Sequence, residues 1–319
     1  MVARRHHYVP KCYLNSFSVE SDHKKKPELV VFDAVDRKRF KTAPDNVALE
    51  RDFNTIAVEG HPPDAFEKAM ASVESEIGPA LSRIVDARSL ANENDRTLLL
   101  NLFGLLHIRN PRFREVKRSF QENVAKRVLD VAMSSREMWD SQVKKAKDAG
   151  FIAKDADIDY EKLKQSYKPE NYKAEVPTGA HVLSEVDTFD HALPLLFDRK
   201  WVLVKAPQKS AGFITCDHPV CLTWSEPQAK RLPLGLKTRG TEMLFPISPK
   251  LAVVGAFELE NGEADFNDEQ VASSNGTIIL NAERQVYAAR EDFQYQIDQK
   301  QQPRPASDLI ADERFDRSA

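Results

Sequence analysis

Between residues 64 and 85, apolar side chains recur every three or four positions: Phe66, Met70, Val73, Ile77, Leu81 and Ile84. Only a helix gathers such positions on one face, so the stripe predicts a long amphipathic helix in "PPDAFEKAMASVESEIGPALSRIVD". Asp64 and Glu67 read as a capping pair at its start. A second helix follows in "DRTLLLNLFGLLHIRN", with Leu98, Leu102, Leu105 and Leu106 on a wide apolar face and Pro111 to end or kink it. From Pro111 to Lys147 a third helical stretch carries Val116, Phe120, Val124, Val128 and Val131 on one side, and Gly150 is a fitting stop.

Strand patterns flank this block. After a short helix at 11–18, "ELVVFDAVDRKRFKTA" reads as a hairpin with arms Glu28 to Asp33 and Lys38 to Thr42. Residues 51–58 alternate as a third β-like stretch. Residues 151–176 read as a loop or peripheral helix, and 181–197 as a helix. Then come short β-rich runs: "KWVLVKAP", "GFITCD", "PVCLTW", "TEMLFPIS" and "LAVVGAFELE". "NDEQVASSNGTIILNAE" returns to helix, weakened at its centre by Asn275-Gly276. Strands at both ends, helices between and no strict βαβ alternation predict an α+β fold. Its mixed or antiparallel sheet is formed by the N-terminal hairpin and the C-terminal strands. Residues 1–295 read as one domain with the helical block, about 63–150, inserted, and the polar residues 296–319 as a disordered tail.

Composition narrows the function classes. A net charge of −3 gives no bulk attraction to nucleic acid, leaving only a local basic patch for that role. No apolar run approaches the roughly 20 residues of a spanning helix, and none follows Arg4 and Arg5 as a secretory signal requires. Three scattered cysteines, Cys12, Cys216 and Cys221, make no disulfide framework. The chain reads as cytoplasmic and reduced, with no membrane partner.

Three stretches carry chemistry. "HHYVP" places two imidazoles, His6 and His7, beside Tyr8. In an extended segment they point to opposite faces, so one faces a pocket while the other packs or meets solvent. Pocket chemistry would be base or metal ligand; the structural alternative is that both anchor the N-terminus. "FITCDHPV" sets Thr215, Cys216, Asp217 and His218 at a strand end, where Asp217 is either a base or metal ligand or an Asx-type turn closer. "LLHIRNPRFR" offers Arg109 as an anion binder, and Arg112, Arg114, Lys117 and Arg118 as a basic run. The structural alternative there is an ion pair and a solvated helix face.

These stretches resemble the family catalogued as domain of unknown function 4238. "HHYVPKCYLNSF" is similar to its N-terminal signature, "APDNVALERDFNT" to the segment after its first hairpin, and "FEKAMASVESEIGPAL" to its first long helix. "LHIRNPRFR" resembles its Arg-x-Pro helix end, and "WVLVKAPQKSAGFITCDHPV" its Ser-Asp-Asn-Pro turn, with Asp217 and Pro219 matching and Cys216 and His218 departing. The resemblance implies a fold unit and no reaction. "HHYVP" also partly resembles the His-His-x-x-Pro stretch of ββα-metal nucleases, and "DNVALE" their asparagine segment. The closing helical histidine is missing, so Asp52 or His61 would have to substitute.

Two functions are therefore expected. The first is a phosphodiester-cleaving hydrolase, a metal-dependent nuclease of bacterial defence or a toxin effector. Its catalytic residues would be His6, His7 and Asp217, and Arg109, Tyr8, Thr215 and His218 would bind substrate. His7 and Asp217 would hold Mg or Mn. The second is a non-catalytic protein whose polar pocket binds an anion or a partner. The lack of any Walker loop, Gly-x-Ser-x-Gly, His-Glu-x-x-His or Rossmann fingerprint favours the second. Nucleic acid, another protein or a second copy of the chain are the partners these readings admit.

Overall fold

A computed structural model describes residues 4–20, 26–57, 60–168, 173, 175–225, 234–298 and 300–317. The fold is α+β, and the chain divides into two compact units: Met1–Asn110 with Thr178–Ala319, and Pro111–Pro177.

The first unit opens with β1 (Arg5–His7), α1 (Lys11–Asn15), β2 (Val19–Glu20), β3 (Pro27–Asp33), β4 (Lys38–Thr42) and β5 (Leu49–Arg51). Helices α2 (Ala65–Ala87) and α3 (Glu93–Ile108) follow. In the second unit lie α4 (Pro111–Ala132), α5 (Arg136–Asp148) and α6 (Tyr160–Ser166). The first unit resumes with α7 (Thr178–Phe197), β6 (Lys200–Lys205), β7 (Thr215–Cys216), β8 (Cys221–Trp224), β9 (Thr241–Ser248), β10 (Leu251–Ala256) and β11 (Gly262–Asp265). It ends with α8 (Asp268–Asn281), β12 (Gln285–Ala288), β13 (Gln294–Tyr295) and β14 (Arg304–Pro305).

Two five-stranded sheets carry this unit. One runs β11-β6-β10-β9-β8 and is antiparallel except for the β11–β6 pair. The other runs β2-β3-β12-β7, with β4 also on β3. The N-terminal hairpin thus shares a sheet with C-terminal strands, and its register pairs Asp33 with Lys38 and Leu29 with Thr42. Separately, β1 pairs antiparallel with β5.

The α2 stripe is the core face. Met70, Ile77, Leu81 and Ile84 are buried, and they join α3 residues Leu99, Leu102, Phe103 and Leu106. Phe103 meets Trp201 of β6 and Phe245 of β9 edge-on at ring separations of 5.0 and 4.1 Å. Gly104 lets α7 approach α3: a Cβ there would lie 2.7 Å from the Phe189 ring. The Asp64–Glu67 capping pair does not form, because Asp64 makes no side-chain cap. Asp64 pairs instead with Lys68, and Glu67 accepts from the Asn54 amide. The third β-like stretch stops early: β5 covers only Leu49–Arg51, and Asp52 then turns the chain at φ 58°.

The long third helix is two helices, broken where Ser135 caps α5 by accepting from the Met138 amide. Of its apolar stripe, Val116, Phe120 and Val128 are each more than half exposed. The second unit's own core gathers instead around Ala132, Met133, Trp139 and Tyr160.

Two further features differ from the sequence expectation. The Asn275-Gly276 pair does not weaken α8, since both residues dock it. Asn275 accepts from the Ile214 amide and donates to the carbonyls of Gly212 and Gln294, all within 3.0 Å. A Cβ on Gly276 would sit 2.0 Å from the Gln296 carbonyl oxygen. The segment expected as a disordered tail is folded over its described residues: β14 pairs with β13, and 3-10 turns cover Ala306–Ala311 and Glu313–Phe315. Leu309 and Phe315 are fully buried, and Asp312 takes both Arg304 and Arg314.

Candidate functional site

Strand β1 separates the two histidines as alternation requires. His6 faces inward, is fully buried, and its Nδ1 accepts from the Asn54 backbone N–H at 2.9 Å. His7 faces the other way. Its ring donates to the Pro44 carbonyl, and its Nε2 is a buried atom without a hydrogen-bond partner among the described residues. The donating nitrogen is therefore Nδ1, which leaves the Nε2 lone pair available. Burial lowers the His7 pKa, against the pull of Asp45 and Glu67, so the ring is neutral at pH 7.

Asp217 has a different task. One carboxylate oxygen accepts from the Glu283 amide at 2.9 Å; the other accepts from the Arg284 and Gln285 amides at 2.7 and 2.9 Å. It clasps the loop between α8 and β12 to the end of β7. Burial pushes its carboxyl up to about 6 against those three donors. Tyr8 shares this neighbourhood: burial raises its hydroxyl pKa, and the Asp217 charge raises it further. Thr215 is buried against the Tyr13 hydroxyl at 2.6 Å, and that hydroxyl donates to the Pro246 carbonyl. The Asn281 amide reaches the His218 ring at 3.0 Å and donates to the His218 and Val220 carbonyls.

Arg109 lies elsewhere, at the C-terminus of α3. It is 3% exposed, and its guanidinium lies 3.8 Å from the Glu74 carboxylate on α2. Burial raises the Glu74 pKa and the Arg109 charge opposes that rise. Beside Arg109, helices α2, α3 and α7 enclose a cavity of about 190 Å³. Its walls include Phe66, Met70 and Val73 from α2, Leu105 from α3, and Phe189 from α7. Glu185 of α7, 4% exposed, is the second charged side chain in the lining.

The contacts tie several of the residues singled out from sequence to one another. Tyr8, Thr215, Asp217 and His218 gather around the α8–β12 loop. His7 and Arg109 are linked through α2, which places Glu67 in the field of His7 and Glu74 beside Arg109. Seven residues separate Glu67 from Glu74, about 10 Å along the helix. Among the described residues, no group of three or more His, Cys, Asp or Glu side chains is arranged to hold a metal ion. Asp217 would offer Mg or Mn only oxygens already engaged by three N–H groups. The basic run on α4 is partly neutralised within its own helix, where Arg118 pairs with both Glu115 and Glu122. Among the described residues, no helix is long and apolar enough to cross a membrane.

Glu74 and Glu185 were not picked out from sequence. Glu185 left a signal: with Val182, Ala192 and Leu196 it occupies the buried face of α7, a position where an acid needs a partner.

The family described as protein of unknown function (DUF4238) matches residues 5–292. The chain belongs to that family. The match spans β1 through β12, so the Asp217 clasp, His7, Arg109 and the cavity all lie within the family unit. No curated protein and no solved structure matches the chain.

Proposed function

We propose that this DUF4238 member is a ligand-binding protein that takes a small organic anion into the α2–α3–α7 cavity, with Arg109 as the anchor. The observation that carries this reading is a nearly fully buried arginine in the wall of a largely apolar cavity, which Glu185 and Asn101 also line. Binding sites for small molecules have this make-up: apolar walls and a few placed polar groups. Arginine suits a carboxylate because its planar fork binds both oxygens. An apolar cavity of about 150 Å³ holds benzene, so this one accommodates a body of at least that size.

The test is thermal denaturation of the full chain with 3-phenylpropionate, octanoate, benzoate and phenyl phosphate. A ligand at 100 times its Kd stabilises by about 2.7 kcal/mol. That is a rise of roughly 5–10 °C for a unit of this size. At least one compound should give such a rise in the wild type and none in Arg109→Met. No rise with any compound would remove the reading.

One observation favours a second reading, hydrolysis of a phosphodiester as in a nuclease effector of bacterial defence. His7 is a neutral imidazole with an available Nε2, held by Pro44 and close to Glu67, which is the form a general base takes. His6 and Asp217, bonded to backbone, would then be positioning groups. Plasmid DNA, single-stranded DNA, tRNA and total RNA would be incubated with wild type and His7→Ala in Mg, Mn or chelator. Cleavage lost in the variant supports this reading, and no cleavage by folded wild type removes it.

A further inference from the structure

Successive side chains of the β11-β6-β10-β9-β8 sheet alternate between its two faces. On one face Trp201, Leu203, Phe245 and Val253 enter the core shared with α2 and α3. On the other, α8 covers part of the sheet: its Val271 and Ile278 pack in one buried cluster with Val204, Ala252 and Leu244. Beside α8 this face is left open as a groove. Its volume of about 540 Å³ falls within the roughly 300–1,000 Å³ of small-molecule sites.

Strand register sets the geometry of the floor. Val202 of β6, Val254 of β10 and Leu244 of β9 are partners across adjacent strands and form one apolar row. Neighbouring strands lie about 4.8 Å apart, so the row spans roughly 10 Å. Glu242 lies two residues from Leu244 along β9, on the same face and about 7 Å away. Its cross-strand partner is Thr223 of β8, the edge strand. Trp224, next along β8, also lines the groove, and Ser273 does so from α8.

Among the described residues, Glu242 is the one charged side chain in the lining. It is half-buried, and it makes no hydrogen bond or ion pair with any of them. The Thr223 and Ser273 hydroxyls are likewise without partners there. A carboxylate partly withdrawn from water without a counter-ion is costly, and a cation brought to it relieves that cost. The indole of Trp224 attracts the same sign of charge. An anion would meet the repulsion of Glu242 with no cation in the described lining to offset it. The apolar row suits a hydrocarbon body.

From this arrangement we propose that the groove binds an amphipathic amine, a primary ammonium on an unbranched hydrocarbon chain. The ammonium meets Glu242 and the Thr223 hydroxyl beside Trp224, and the chain lies along Leu244, Val254 and Val202. The groove shares no lining residue with the α2–α3–α7 cavity, so this site stands apart from the anion reading.

The test is an NMR titration of the full chain with octylamine, following the methyl groups of Val202, Leu244 and Val254 and the Trp224 indole N–H. Octylamine should shift all four residues saturably. 1-Octanol keeps the chain and lacks the charge. It should bind there roughly 10- to 100-fold more weakly, the loss expected for one charged hydrogen-bonding partner. Octanoate should leave these signals unmoved, whatever it does in the α2–α3–α7 cavity, and so should methylamine, which lacks the chain. Glu242→Gln should bring octylamine down to the affinity of 1-octanol. Ser273→Trp fills the groove from the α8 side and should abolish the octylamine shifts; if that variant does not fold, Glu242→Gln alone decides.

1-Octanol or octanoate binding at these residues as tightly as octylamine would overturn the proposal. So would octylamine binding that Glu242→Gln leaves unchanged, or that survives in folded Ser273→Trp. The absence of shifts at all four residues up to the solubility of octylamine would overturn it too.

Discussion

Acid should destabilise this protein in a way that one histidine controls. His107 lies in the last turn of α3, and its Nδ1 is a buried atom with no hydrogen-bond partner among the described residues. Burial pushes its pKa down to about 4, and the positive charge of Arg199 pushes the same way. In the unfolded chain a histidine titrates near 6.5. The folded pKa is the lower one, so the unfolded state takes up the proton first. Stability from this group is complete above about pH 6.5 and is lost as pH falls towards 4. For one site with these two values, the loss between pH 7 and pH 4.5 is roughly 2.5 kcal/mol. His107→Leu removes the proton site and its unsatisfied nitrogen. Urea denaturation of wild type and variant at pH 7 and pH 4.5 measures the difference. The wild type should lose about 2.5 kcal/mol more than the variant on acidification. Equal losses in the two proteins would refute the reasoning and show that His107 reaches solvent when charged.

Other substitutions separate structural from functional roles. Asn275→Ala removes three hydrogen bonds that dock α8, two of them buried, and should cost about 2–4 kcal/mol by urea denaturation, whereas a loss below 1 kcal/mol would contradict the docking role. His6→Ala leaves the buried Asn54 N–H without its acceptor, and His7→Ala removes only the bond to Pro44. Calorimetry should therefore show the larger Tm drop for His6→Ala, by several degrees. Deleting residues 303–319 strips away buried Leu309 and Phe315 and the arginines that pair with Asp312. It should lower Tm by at least 5 °C, and an unchanged Tm would mean the segment is dispensable.

Periodicity made much of the fold legible. The stripe from Phe66 to Ile84 and the hairpin arms at 28–33 and 38–42 are local patterns, and each appears where the pattern places it. Periodicity does not say what a shared face meets: the Val116–Val131 residues share one side of a helix as the pattern places them, and that side is exposed. Asn275-Gly276 looked like a helix fault because its partners, Gly212 and Gln294, lie 63 and 19 residues away. The same holds for the site. Asp217 was visible as a polar residue at a strand end, but its role as a clasp depends on amides 66 to 68 residues downstream. Arg109 was singled out from sequence as a candidate anion binder, with an ion pair as the alternative, and the structure sets it 3.8 Å from Glu74. The cavity beside it was not legible, because that cavity forms only when α2, α3 and α7 come together.

Whether that cavity receives a ligand can be read directly from methyl-labelled protein by NMR. 3-Phenylpropionate and benzoate would be titrated while the methyl groups of Val73, Leu105, Ile108 and Val186 are followed, all four lining the pocket. The account requires saturable shifts concentrated at these four residues with at least one of the two compounds, and their absence in Arg109→Met. Shifts scattered over the surface, or none at concentrations up to solubility, would contradict it.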